Sequence, residues 1–238
     1  MSTSIQSLVR AASVKPIIIE HDGIFVVRDD LFPGGTKARI IHRLFGEARE
    51  YVYASPVQGY AQVALAHAAR RCGKVATVFC AARRDEHPRT LMARKAGAQI
   101  HAVRPGYLSV VRCRAAGYTV THGAVLLPFG LDCEAMIMGI AELALGLGVV
   151  PTEVWSVAGS GTLTRGFQRA WPQARFFAVR IGCAPNAGRA AVLDAPERYE
   201  QSAKKPPPFP SCDNYDAKAW RFIREMASPG ALFWNVAG

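Results

Sequence analysis

Short apolar runs recur along the chain between longer stretches in which apolar residues return every third or fourth position. The runs at residues 24–27, 51–54, 74–79, 99–103, 124–127, 154–157, 176–179 and 231–234 predict buried strands, with a further brief strand at 16–19. The intervening stretches predict helices. One follows Lys37 and carries Ile40, Ile41, Leu44 and Phe45; an alanine-rich one runs through Arg71. A basic helix spans roughly 87–96, a long and mostly buried one 133–147, and two more lie near 166–170 and 217–226. Strands alternating with helices predict an α/β fold on a parallel sheet covered on both faces. The Pro/Lys-rich segment 204–210 reads as a surface loop or mobile flap.

Half of the 238 residues are hydrophobic and no run is of low complexity, so the chain can bury a sizeable core, as one large domain or two lobes. The six cysteines are scattered and read as reduced thiols, and the histidines form no metal-type pair; no metal is expected. The most apolar region, 123–150, is interrupted by Asp132, Glu134 and Glu142, which argues against a membrane span. The polar N-terminus lacks an apolar signal core, and a cytoplasmic protein is expected. Charge changes this picture. The net charge is +11, and eleven Lys/Arg against Asp85 and Glu86 place +9 of it between residues 70 and 114. Such a segment draws in polyanions or anionic substrates, or it is a well-solvated face. Aromatic residues do not interleave with the charges, so stacking on single-stranded bases is not indicated.

Two glycine loops carry the candidate chemistry. In the first, the strand 24–27 runs into Arg28-Asp29-Asp30 and then Gly34-Gly35-Thr36-Lys37, where glycines permit the tight backbone that holds a lysine close beneath a ligand. In the second, Gly159-Ser160-Gly161-Thr162 follows another apolar strand and suits a phosphate at a helix N-terminus. It lacks the Gly-Lys-Ser/Thr ending of a nucleotide loop, which makes ATP a poor alternative. An amine from one loop and a phosphate cradle from the other suggest pyridoxal 5'-phosphate.

Arg28-Asp29-Asp30 with Gly34-Gly35-Thr36-Lys37-Ala38-Arg39 resembles the R-D-D … G-G-N-K-x-R signature of fold type II pyridoxal-phosphate enzymes, nearest the aminocyclopropane-carboxylate deaminase and D-cysteine desulfhydrase group. Further segments resemble the family in the same order along the chain. The loop from Ser55 to Gln58 resembles the substrate-carboxylate loop, and the 159–162 loop resembles the phosphate loop. Asn214-Tyr215-Asp216-Ala217-Lys218-Ala219 resembles V-Y-[TE]-G-K-A, and the end of the sequence, 233–238, resembles F-I-H-T-G-G. The resemblance implies a large parallel-sheet lobe, residues 1–52 and 123–238, with a smaller inserted basic α/β lobe, 53–122.

It also implies roles. Lys37 is the amine that joins the cofactor aldehyde, and Gly159, Ser160, Gly161 and Thr162 bind its phosphate. Asp216 lies beside the pyridine nitrogen and keeps it protonated, Gln58 grips the ring hydroxyl and, with Ser55, the substrate, and Tyr215 is an acid/base. Departures at Thr36, Gln58, Asn235 and Val236, and a chain shorter than typical relatives, put free amino-acid substrates in doubt. Compact enzymes of this sort encoded by bacteriophages are implicated in thymine hypermodification in DNA, where an amino acid attached to the base is decarboxylated. The leading expectation is therefore decarboxylation of such a group, with the 70–114 segment on the phosphates of modified DNA. A deaminase or desulfhydrase lyase acting on a small free amino acid is the alternative, and a non-catalytic DNA-binding relative is a third. A homodimer is expected from the relatives.

Overall fold

The computed structural model describes residues 15–104 and 106–238, which divide into two compact units. One comprises residues 37–131 and is wider at both ends than the 53–122 segment; the other comprises 15–36 and 132–238.

In the 15–36/132–238 unit, six strands run in the order β1 (Ile18–His21), β2 (Ile24–Arg28), β10 (Leu232–Asn235), β7 (Glu153–Ala158), β8 (Arg175–Arg180) and β9 (Ala191–Asp194). All neighbours pair in parallel except β1, which pairs antiparallel with β2. That hairpin departs from the all-parallel expectation. Asp22 and Gly23 both have positive φ, the conformation that a two-residue turn between twisted strands requires.

Along β10 successive side chains face opposite ways. Phe233 joins a cluster with Val26, Trp155, Val179, Trp220 and Ile223, the last two from helix α7 (Trp220–Met226). Trp234 points the other way, its ring 4.6 Å from Phe167 of helix α6 (Thr162–Ala170). α6 packs closely on helix α5 (Glu134–Leu145): a Cβ at Gly166 would overlap the Ile140 side chain. The return from β9 to β10 through α7 covers the face opposite α6, as right-handed crossovers in both directions demand.

In the 37–131 unit, four parallel strands run in the order β5 (Gln99–Val103), β4 (Val75–Ala81), β3 (Glu50–Ala54) and β6 (Val125–Leu126). Helices α2 (Ala61–Arg71) and α3 (Pro88–Lys95) make the crossovers β3 to β4 and β4 to β5. Helix α4 (Leu108–His122) returns across the sheet and covers Val52, Ala54 and Phe79 with Val111 and Ala115.

Two elements are additional to the sequence expectation. α4 is rich in β-branched residues and only Val111 and Ala115 are fully buried, so it carries almost no helical periodicity. It ends where Gly123 turns left-handed and donates to the Thr119 carbonyl. β9 is an exposed edge strand whose residues alternate too weakly to be read. Two expected helices are also interrupted. Helix α1 (Gly35–Ile40) tightens into a 3-10 turn at Ile41–Leu44, and the expected helix 217–226 begins as a 3-10 turn, Asp216–Ala219, before α7. Among the described residues none of the six cysteines is in a disulfide, no group of His, Cys, Asp and Glu could hold a metal, and no helix is long and apolar enough to cross a membrane.

Candidate active site

The carboxyl ends of β2, β10, β7 and β8 share one edge of the six-stranded sheet, the edge at which open α/β sheets bind ligands. After β7 the chain passes through Gly159, Ser160 and Gly161 into α6. Gly161 has φ +87°, and a Cβ there would overlap the Asn186 carbonyl oxygen, so the turn demands glycine. The Asn186 N–H closes back onto the Ser160 carbonyl at 3.1 Å. The Ser160 and Thr162 hydroxyls lie 2.8 Å apart, and the first turn of α6 carries no acidic residue. Two hydroxyls and an uncapped helix start suit an anion. Gly159 does something else: its N–H donates to the Tyr215 hydroxyl at 2.8 Å and is thereby committed within the protein.

Tyr215 and Asp216 stand where the chain enters the 3-10 turn 216–219. Burial pushes the Tyr215 phenol far above its usual range, and the Asp216 charge adds to the shift. Tyr215 therefore keeps its proton at any working pH, which fits a donor or a fixed strut and not a base. Asp216 is fully buried and accepts from the Ala237 N–H at 3.2 Å. Two residues on, Lys218 is also buried and donates to the Arg198 carbonyl at 2.7 Å; burial lowers its pKa and Glu197 opposes the shift.

The chain end following β10 completes this edge. A Cβ at Gly35 (φ +68°) would overlap the Val236 carbonyl, which also accepts from the Thr36 N–H at 3.2 Å. The Thr36 hydroxyl accepts from the Trp234 indole at 2.9 Å, so the residue standing where the family has asparagine is tied into the core. Arg28 and Asp30 form a two-point ion pair at 2.8 Å, and Asn235 donates to Asp30 and to the Pro210 carbonyl, each at 2.8 Å. The Arg28-Asp29-Asp30 signature here pins the glycine turn to β10.

Within the 37–131 unit, half-buried Lys37 donates from Nζ to the Gly130 carbonyl at 3.0 Å, while the Gly130 N–H donates to the Tyr53 hydroxyl at 3.1 Å. Gly130 is left-handed, φ +71°. Burial pushes the Tyr53 phenol up to about 12, partly opposed by that hydrogen bond, and Tyr53 stays neutral. After β3, the loop 55–59 leads into α2. Ser55 is buried, its hydroxyl on the Pro56 carbonyl at 2.8 Å, and Gln58 is half-buried. Fully buried Gln62 donates to the carbonyls of Val57 (2.9 Å) and Gly59 (3.0 Å). Those oxygens would repel an approaching anion, and Gln62 takes them out of play.

Of the nine residues singled out from sequence, Gly159 and Tyr215 meet directly, Ser160 and Thr162 meet directly, and Asp216 follows Tyr215 in the same unit. Gly161 joins Ser160 to Thr162 in the same turn, and Lys37, Ser55 and Gln58 belong to the 37–131 unit. Arg165, which follows the glycine loop on α6, is paired with Asp132 and is not left over for a phosphate. Gly130, Tyr53, Gln62, Asn186 and Trp234 were not legible. Their roles come from contacts with residues distant in sequence, or from a glutamine inside an otherwise alanine-rich helix, which was the one available signal.

No family model matches the chain, and no curated protein matches it in sequence. Solved structures do. An ACC deaminase homologue superposes with a TM-score of 0.81 at 13% identity, covering 100% of this chain and 95% of its own. Diaminopropionate ammonia lyase of Escherichia coli gives 0.68 at 15% identity, covering 100% and 89%. Threonine deaminase isoform 2 of Solanum lycopersicum gives 0.74 at 9% identity, covering 99% and 90%. The chain has the fold type II architecture of pyridoxal-phosphate enzymes. The likeness extends over the whole length of the fold.

Proposed function

We propose that the protein is a pyridoxal-phosphate-dependent lyase of the deaminase type acting at Cα of an amino acid. The observation that carries this reading is the fully buried Asp216, next in sequence to the tyrosine that grips the glycine loop. A buried carboxylate at the carboxyl edge of a parallel sheet suits a protonated pyridine nitrogen, because a dry site strengthens the attraction between them. The donor set of the 15–36/132–238 unit supports the fit: Ser160, Gly161 and Thr162 would hold the phosphate and Asp216 the ring nitrogen, and the resemblance assigns Lys37 to the aldehyde carbon. When bound, the cofactor supplies an electron sink for bond breaking at Cα. Lys37 can carry a proton to or from that carbon, Tyr215 braces the loop, and the loop 55–59 with Gln62 orients the substrate carboxylate. The deaminases and the ammonia lyase that share the fold favour release of ammonia.

A second reading, decarboxylation of an amino acid attached to thymine in DNA, is favoured by the +9 charge of residues 70–114. One set of experiments separates the readings. Borohydride reduction of the protein with pyridoxal phosphate should leave one adduct, mapped by mass spectrometry to Lys37 and missing from Lys37→Ala. No adduct would overturn both enzyme readings and favour a non-catalytic relative. Ammonia from free amino acids supports the first reading, and carbon dioxide from modified duplex DNA the second.

A further inference from the structure

The four strands of the 37–131 unit are parallel, so the connections that follow them all emerge at one edge. The loop 55–59 follows β3, Arg83 and Arg84 follow β4, and Arg104 follows β5. These connections are packed against one another. The Ala82 N–H donates to the Val103 carbonyl at 2.9 Å, and a Cβ at Gly106 would fall 2.7 Å from Ala81 Cβ, so the connections after β4 and β5 touch. Arg89, in the first turn of α3, lays its guanidinium 4.8 Å from the centre of the Tyr60 ring, which joins the connection after β4 to the end of the 55–59 loop.

Four arginines thus share one sheet edge with the loop assigned to the substrate carboxylate. The acidic residues nearby are Asp85 and Glu86, and Glu86 is already held by Arg94 at 2.6 Å. Arg83, Arg84 and Arg104 are exposed, and among the described residues none has an acidic partner within ion-pair distance. Like charges brought together on a rigid edge repel, and a multivalent anion relieves that repulsion. Guanidinium forks match phosphate oxygens, and several of them favour a phosphate over a single carboxylate.

We infer that this edge is a phosphate subsite, and that the substrate carries a phosphate beyond its amino-acid group. The proposal rests on the amino-acid reading only for what lies next to the phosphate. The phosphate has two sources, a phosphorylated amino acid or the backbone of a duplex bearing a modified base, and binding assays without turnover distinguish them. O-phospho-L-serine and L-serine are titrated calorimetrically, and a short DNA duplex is titrated at two salt concentrations, against three proteins. These are the wild type, Arg83→Gln/Arg104→Gln, and Arg70→Gln/Lys95→Gln, which removes the same charge from the last turns of α2 and α3 at the opposite edge.

At least one phosphate ligand should bind the wild type about tenfold or more tighter than it binds Arg83→Gln/Arg104→Gln, with the control variant near wild type. Selective loss of phosphoserine binding identifies the small substrate; selective loss of salt-sensitive duplex binding identifies nucleic acid. Equal binding of phosphoserine and serine with no duplex binding overturns the proposal, as does an equal loss in both variants. Failure of Lys37 to form its adduct would leave these binding results intact, so the two readings fail separately.

Discussion

Gly161 and Gly159 sit two residues apart in the same loop, yet only Gly161 demands glycine. At Gly161 the backbone is left-handed and a Cβ has no room beside the Asn186 carbonyl. At Gly159 the nearest atom to an added Cβ would be the Tyr215 hydroxyl at 3.2 Å, and a ring at the end of a side chain can give way by a small fraction of that distance. Gly161→Ala should therefore cost about 2–4 kcal/mol of stability in urea unfolding, and Gly159→Ala about 1 kcal/mol or less. Equal costs would show that the Asn186 contact does not set the loop. The glycine pattern was visible in the sequence. The partners that each glycine meets were not, because Asn186 and Tyr215 reach the loop only through folding.

Among elements, the 3-10 turn Ile41–Leu44 and helix α2 pack against each other and place His42 and His67 near Arg71. Burial holds both histidines below the usual 6.5, and neighbouring arginines add to the shift. The unfolded chain then binds protons at pH values where the folded chain does not, so stability is lost as pH falls through 6.5 toward the folded values. Thermal melts should show Tm dropping as the pH is lowered from about 7.5 to about 5, and His42→Gln/His67→Gln should flatten that slope. An unchanged slope would remove these histidines from the acid response. Elements with strong periodicity, β7 and α2 among them, were readable in advance; α4 was not, because β-branched residues and two buried positions give a helix no face.

For the whole molecule, cofactor binding is a stability term. A ligand held only by the folded state adds about 4 kcal/mol at a thousandfold excess over its Kd, so pyridoxal phosphate should raise Tm by several degrees. Lys37→Ala should keep part of that rise through Ser160, Gly161 and Thr162, and Ser160→Ala/Thr162→Val should lose more of it under the same conditions. A wild-type Tm indifferent to the cofactor would contradict the proposed loading. The order of strands and helices other than α4 and β9, the two glycine turns and the amine were set by local pattern: periodicity and glycine content act over a few neighbouring residues and can be read from the chain alone. Whether an N–H serves an anion or a tyrosine, whether a threonine meets a cofactor or a tryptophan, and which arginines share an edge depend on strand order and crossover direction. Those join residues far apart in sequence, and no local pattern encodes the meeting.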